Sequence, residues 1–201
     1  IMSIYVKHGT IKSMKSSHLL SLAYSYEQQN RNFICLKPST DTRDIGYIRS
    51  SDGKERECYM LGENDDLIEL IRYHVEKYNI EYLDAIFIDE CQWLSQENIN
   101  QILWLSGELG FNFLCYGLYS DYKGNPFTAT TMLMTFAKDV QEISATLCTY
   151  CRSKAKMNLR LDNGKPVFQG DSNIPDDDVT VSSYVPVCPN CFIKKLGENN
   201  N

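Results

Sequence analysis

No stretch of the chain is apolar for long enough to cross a bilayer, and its start lacks the charged-then-apolar pattern of an export signal. These two absences lead us to expect a cytoplasmic protein with no membrane partner. Positive charge is also scarce: 20 Lys and Arg stand against 26 Asp and Glu, a net charge of −6. A nucleic-acid-binding face needs a basic stripe that neutralises phosphates, so nucleic acid is not an expected partner. Apolar content is not lacking, since 43% of residues are hydrophobic, and this excludes the disordered class. A length of 201 residues allows one domain of ordinary size with a real core, plus a small appendage. In a reducing compartment the eight cysteines do not form a disulfide framework and need another explanation.

The stretch from Ile4 to Leu20 reads as a strand, a tight loop and the first turns of a helix. Gly9, Lys15 and Ser16 match the phosphate-loop pattern G-x-x-x-x-G-K-[ST], while Met14 stands where the second glycine belongs. Such a loop turns backbone N–H groups toward an anion at a helix N-terminus, with the lysine neutralising terminal phosphates and the hydroxyl holding Mg²⁺. The bulk of Met14 requires that its side chain point away from a nucleotide or that the loop open. Ser16 to Asn30 carries Leu19, Leu20, Ala23, Tyr24 and Tyr26 at helical spacing. Phe33 to Leu36 is a short buried strand expected to end at Lys37-Pro38, where the proline stops pairing. Asp65 to Tyr78 is a second helix with acids at its start, and Leu83 to Asp89 is a fully apolar strand ending in acids. Ser95 caps a third helix that buries Ile99, Ile102, Leu103 and Leu109, and Phe111 to Gly117 follows as a strand. Strands alternating with helices imply an α/β fold, a parallel sheet with helices on both faces.

Beyond Val140 the texture changes to short strands with Gly, Pro and Asp punctuation, so a boundary is expected before Thr146, dividing the chain into units 1–143 and 144–201. The tail holds Cys148-Thr-Tyr-Cys151 and Cys188-Pro-Asn-Cys191. Two such knuckles place four thiolates around one Zn²⁺ in a closed structural site. A redox role is less expected, on the reading that neither knuckle follows a strand and opens a helix. Cys35, Cys58, Cys91 and Cys115 sit singly in or beside apolar runs and read as small core residues. Asp89 and Glu90 end the apolar strand. At that position one acid can anchor Mg²⁺ while its neighbour, pointing elsewhere, takes a proton.

The order of the near-P-loop, Lys37-Pro-Ser-Thr-Asp41-Thr-Arg43, Ile88-Asp89-Glu90-Cys-Gln92-Trp93, the run from Gly117 to Phe127 and two C-x-x-C knuckles resembles the type II thymidine kinases from Ile4 to Phe192. The resemblance implies transfer of the γ-phosphoryl group of ATP to the 5′-hydroxyl of thymidine or deoxyuridine with Mg²⁺, in a homotetramer. It implies a RecA-like core and a small zinc-ribbon-like lasso closing over the base. By resemblance Lys15 and Ser16 hold phosphates and Mg²⁺, Asp89 is the Walker B acid and Glu90 the general base. Asp41 and Arg43 lie near the phosphates and the reacting hydroxyl. Ile11, Trp93, Leu118, Tyr122 and Phe127 surround thymine and sugar, Tyr184 is the lasso tyrosine, and Gln92 and Arg160 support the site and the lasso. Departures from the pattern are Met14, Tyr119 after Gly-Leu, Ser51 where histidine is frequent, and the missing glycine pair between Val179 and Tyr184. The competing readings are a degenerate kinase fold that binds nucleoside or a partner without turnover, and a helicase-type ATPase, for which the chain has one domain where two are needed.

Overall fold

The computed structural model describes residues 3–143, 146–170 and 182–199. The order of elements is β1 (Ser3–Gly9), α1 (Lys15–Gln28), β2 (Phe33–Pro38), β3 (Tyr47–Arg49), β4 (Glu55–Glu57), β5 (Tyr59–Leu61), α2 (Leu67–Tyr78) and β6 (Ala85–Ile88), then a 3-10 turn (Cys91–Trp93). After it come α3 (Gln96–Glu108), β7 (Asn112–Leu118), α4 (Thr128–Phe136), β8 (Asp139–Glu142), β9 (Met157–Asp162), β10 (Lys165–Val167), β11 (Ser182–Val187) and α5 (Pro189–Asn199).

Six strands form one sheet in the order β5-β2-β6-β7-β1-β8, every pair parallel. Strict alternation along the central strands sorts their side chains between two cores. Ile4, Val6, Ile34, Leu36, Ile86, Ile88, Phe113 and Cys115 pack with Leu67 and Ile71 of α2, Ile99, Ile102 and Leu105 of α3, and Leu133 of α4. The opposite residues, Cys35, Phe87, Leu114 and Tyr116, meet Leu19, Leu20 and Ala23 of α1 and Ile48 of β3. Each fully buried leucine or isoleucine in these layers contributes roughly 1.5–3 kcal/mol by leaving water. The strands thus carry apolar residues on both sides, as a doubly covered parallel sheet requires. A separate antiparallel sheet, β10-β9-β11, packs with α5 around Leu159, Val187 and Phe192.

Several expectations need correction. β2 ends at Pro38 as expected, but the proline does not stop pairing: it still pairs with Leu61 of the edge strand β5, where the adjacent Ser39 N–H donates to Leu61 O at 2.9 Å. Tyr24, Tyr78 and Leu109 are exposed, the first on the outer side of α1 and the other two at helix ends. The segment after Val187 is a helix, so Cys188-Pro-Asn-Cys191 does follow a strand and open a helix, against the sequence reading. The run Val179 to Tyr184, with its missing glycine pair, lies partly outside the described residues.

Candidate active site

The phosphate loop sits at the C-terminal end of β1. Gly9 is required by space, because a Cβ there would stand 2.5 Å from Ser13 Oγ and 2.7 Å from Ile143 O. Met14 adopts φ 64, ψ 30 at the N-cap of α1, the left-handed conformation that glycine takes without penalty. For methionine it costs about 1–2 kcal/mol. The side chain is 48% exposed and borders the cleft that Lys15 and Ser16 also line. Lys15 is buried behind it, its Nζ donating to Thr10 O at 2.7 Å, and burial lowers its pKa against the pull of Glu90 and Asp89.

Ser16 Oγ donates to Asp89 Oδ2 at 2.8 Å, joining the start of α1 to the end of β6. The other oxygen, Asp89 Oδ1, is buried with no protein partner among the described residues. Burial, reinforced by the charge of Glu90 and opposed by Ser16, pushes the Asp89 carboxyl up to about 7. A buried carboxylate oxygen beside a loop hydroxyl is the donor set a hard divalent cation takes, since such ions accept oxygen ligands and keep waters.

Glu90 follows in the left-handed region, φ 52. Arg43 Nη2 donates to Glu90 Oε1 at 3.2 Å, and Gln92 Nε2 donates to Glu90 Oε2. Gln92 Oε1 in turn accepts from Leu118 N at 2.9 Å, in a space that a side chain at Gly117 would fill, since a Cβ there would meet Gln92 Oε1 at 2.7 Å. Arg43 is anchored by Asp41, whose Oδ1 accepts from Arg43 Nε at 2.8 Å, and Lys37 Nζ lies 3.2 Å from Asp41 Oδ2. Burial raises the Asp41 pKa, but the Arg43 hydrogen bonds and the charges of Arg43 and Lys37 outweigh it and leave it lowered. Sequence reasoning assigned Lys37 no role, although a lysine at the end of an apolar strand is a signal of a buried, paired charge.

The other end of the cleft is aromatic. Trp93 meets Phe127 edge to face at 5.2 Å. Tyr122 is buried, donates from its hydroxyl to Gln169 O at 3.0 Å, lies 6.1 Å from Tyr184, and has the Arg160 guanidinium 5.5 Å from its ring centre. It bridges the two sheets. A cleft of about 420 Å³ joins both ends, and Ile11, Lys15, Ser16, Asp41, Arg43, Asp89, Glu90, Gln92, Trp93, Leu118, Tyr122, Phe127 and Tyr184 all border it. Gly9, Arg160 and the four knuckle cysteines stand outside its wall. Ser51, at the tip between β3 and β4, does border it, as does Asn158 of β9, which the sequence reading passed over.

Cys148, Cys151, Cys188 and Cys191 place their sulfurs within 4.8 Å of one another. Tetrahedral zinc–thiolate sites need sulfurs close together at this scale, so the cluster fits structural Zn²⁺. Its geometric role is to fasten the loop before β9 to the junction of β11 and α5. With four thiols converging, the strand-then-helix context of the second knuckle does not revive a two-cysteine redox reading.

A phosphate loop after β1 facing paired acids at the end of β6, one strand removed in the sheet, beside a slot of aromatic edges, defines a P-loop phosphotransferase acting on a small planar substrate. The chain belongs to the thymidine kinase family, whose model, described as Thymidine kinase, matches residues 2–192. It is 34% identical to the thymidine kinase of Streptococcus agalactiae serotype Ia over 92% of this chain and 94% of that protein. The thymidine kinase of Streptococcus pyogenes serotype M3 is similar to the same extent, 34% over 92% and 94%.

Proposed function

We propose that this chain transfers the γ-phosphoryl group of ATP to the 5′-hydroxyl of thymidine, or of deoxyuridine, giving the nucleoside monophosphate. The observation that carries the reading is the Glu90 carboxylate, held between Arg43 and Gln92 and facing a phosphate loop that is formed despite Met14. Glu90 takes the proton of the 5′-hydroxyl as its oxygen attacks phosphorus. Lys15 and the loop N–H groups hold the β- and γ-phosphates, and the Asp41-anchored Arg43 meets the charge that develops on the transferring group. Ser16 and Asp89 would hold Mg²⁺, which supplies charge neutralisation between the phosphates when bound.

Ile11, Trp93, Leu118, Tyr122 and Phe127 form the nucleoside slot, with Tyr184 and Arg160 contributed by the lasso. Units 1–143 and 144–201 act as kinase body and lasso. The homotetramer rests on the family resemblance, and the cytoplasmic location on the lack of an apolar span and of an export pattern in the sequence; no helix among the described residues is long and apolar enough to cross a membrane. The degenerate-fold reading is disfavoured because a chain that only bound nucleoside would have no use for a paired base, a phosphate lysine and a metal acid together. The test is a turnover assay with labelled thymidine and ATP. One ADP per thymidine 5′-monophosphate is expected, and nucleoside binding without product would reject the proposal.

A further inference from the structure

Asn158, on β9, is buried, and both ends of its side-chain amide are used. Its Oδ1 accepts from the backbone N–H of Ile11 at 2.9 Å, and its Nδ2 donates to the backbone carbonyl of Ser120 at 3.2 Å. An N–H partner and a carbonyl partner fix the orientation of the amide without ambiguity. These partners come from places far apart in sequence: the phosphate loop, the segment after β7 and the cysteine-tied antiparallel sheet. One side chain therefore joins all of them at the point where the cleft passes from its aromatic end to its phosphate end.

The location of the Ile11 bond gives it leverage. Ile11 opens the stretch whose next residues include Lys12 and Met14, both non-glycine and both left-handed, at φ 59 and φ 64. A loop holding two such residues is strained and persists when its surroundings over-determine it. Asn158 supplies one such restraint at the entry to the loop, and Thr146 Oγ1 supplies a second by donating to Lys12 O at 3.2 Å. Both come from the chain that follows the main sheet. The phosphate loop is thus held in shape partly by the unit that carries Tyr184 and the cysteine cluster.

We propose that Asn158 is a positioning residue for phosphoryl transfer, clamping the phosphate loop to the zinc-tied sheet so that ATP affinity depends on a residue outside the P-loop motif. The inference rests on the kinase reading above. Asn158→Ala removes both bonds and should raise the KM for ATP roughly tenfold, with a smaller change in the KM for thymidine, because the lost restraint acts on the loop N–H groups. Asn158→Ser, which keeps a hydroxyl able to meet one partner, should recover part of the loss. Thr146→Ala, away from the cleft interior, should move the ATP KM the same way by roughly two- to threefold.

Steady-state kinetics in both substrates, with zinc content and thermal midpoint measured on the same samples, decide the matter. An ATP KM unchanged in Asn158→Ala and Thr146→Ala, with active wild type, overturns the clamp. So does a rise confined to the thymidine KM, which would make Asn158 a wall of the base slot only. Parallel loss of zinc, stability and all kinetic constants in Asn158→Ala, with Thr146→Ala silent, likewise overturns it in favour of a merely structural residue. Wild type without thymidine-dependent turnover would instead reject the kinase reading itself.

Discussion

The two ends of the cleft are built on different principles. At the phosphate end, polar groups are paired and several are buried: Lys37 and Arg43 on Asp41, Arg43 and Gln92 on Glu90, Ser16 on Asp89. They sit on or just beyond the C-terminal ends of β2 and β6 and at the start of α1, elements fixed by the two cores that cover the faces of the main sheet. At the base end the contacts are ring edges and backbone carbonyls: Trp93 on Phe127, Tyr122 on Gln169 and Tyr184. One wall of that end, Tyr184, comes from a small antiparallel sheet whose core contains few residues and two of the clustered cysteines. On the proposed roles, the main sheet places the reacting groups, while the tied appendage completes the base slot and also reaches the phosphate loop through Asn158 and Thr146, so damage to the sheet-borne groups should spare nucleoside binding more than damage to the appendage does.

The largest expected separation comes from Glu90→Gln, which keeps shape but removes the proton acceptor. Turnover should fall by roughly 10²–10⁴ with little change in nucleoside affinity, and near-normal turnover in pre-steady-state assays would reject the role. The opposite failure is expected from Cys188→Ser. Elemental analysis should find about one zinc per chain in wild type and less in the variant, with thymidine KM raised by roughly tenfold or more while the main sheet stays folded. A metal-free protein, fully folded and active, would break the contrast.

A smaller effect, on stability, follows from Asp89. Its carboxyl titrates near 7 in the folded protein against about 4 when unfolded. The folded state thus holds the extra proton, and stability is lost as pH rises from about 4 to about 7. Asp89→Asn, free of Mg²⁺ and nucleotide, should be more stable than wild type by about 1–3 kcal/mol at pH 8 and lose this advantage at low pH. Urea unfolding at both pH values tests the sign, and an equal difference at each would contradict it.

The middle of the sheet was legible because β2 and β6 are continuous apolar runs followed by a lysine or by acids, and because Ser95 and the acids before Leu67 announce helix starts. The capping box at Ser95 and the Asp66 cap on α2 are the physical form of those signals. Other elements were hidden. α4 is built from TATTMLMTF, whose threonines have low helix propensity, and it is held by Ala129, Thr130 and Leu133 packing inward. β8 is a polar edge strand recruited by pairing with β1, a contact that local sequence does not encode. Among site residues, the motif positions were readable and Asn158 was not, because its value lies in two backbone partners more than thirty residues away. Met14 shows the reverse case: the motif flagged it as wrong, and the backbone keeps glycine's conformation around it.

Activity as a kinase needs a phosphate loop that is complete with methionine in a glycine position. The most direct test is equilibrium ATP binding to wild type and Met14→Gly, with thymidine binding measured alongside. Wild type is expected to bind ATP, with Met14→Gly tighter by about two- to tenfold through relief of about 1 kcal/mol of left-handed strain, and thymidine binding equal in the two. Wild type that binds thymidine but no ATP, with ATP binding appearing only in Met14→Gly, would contradict it.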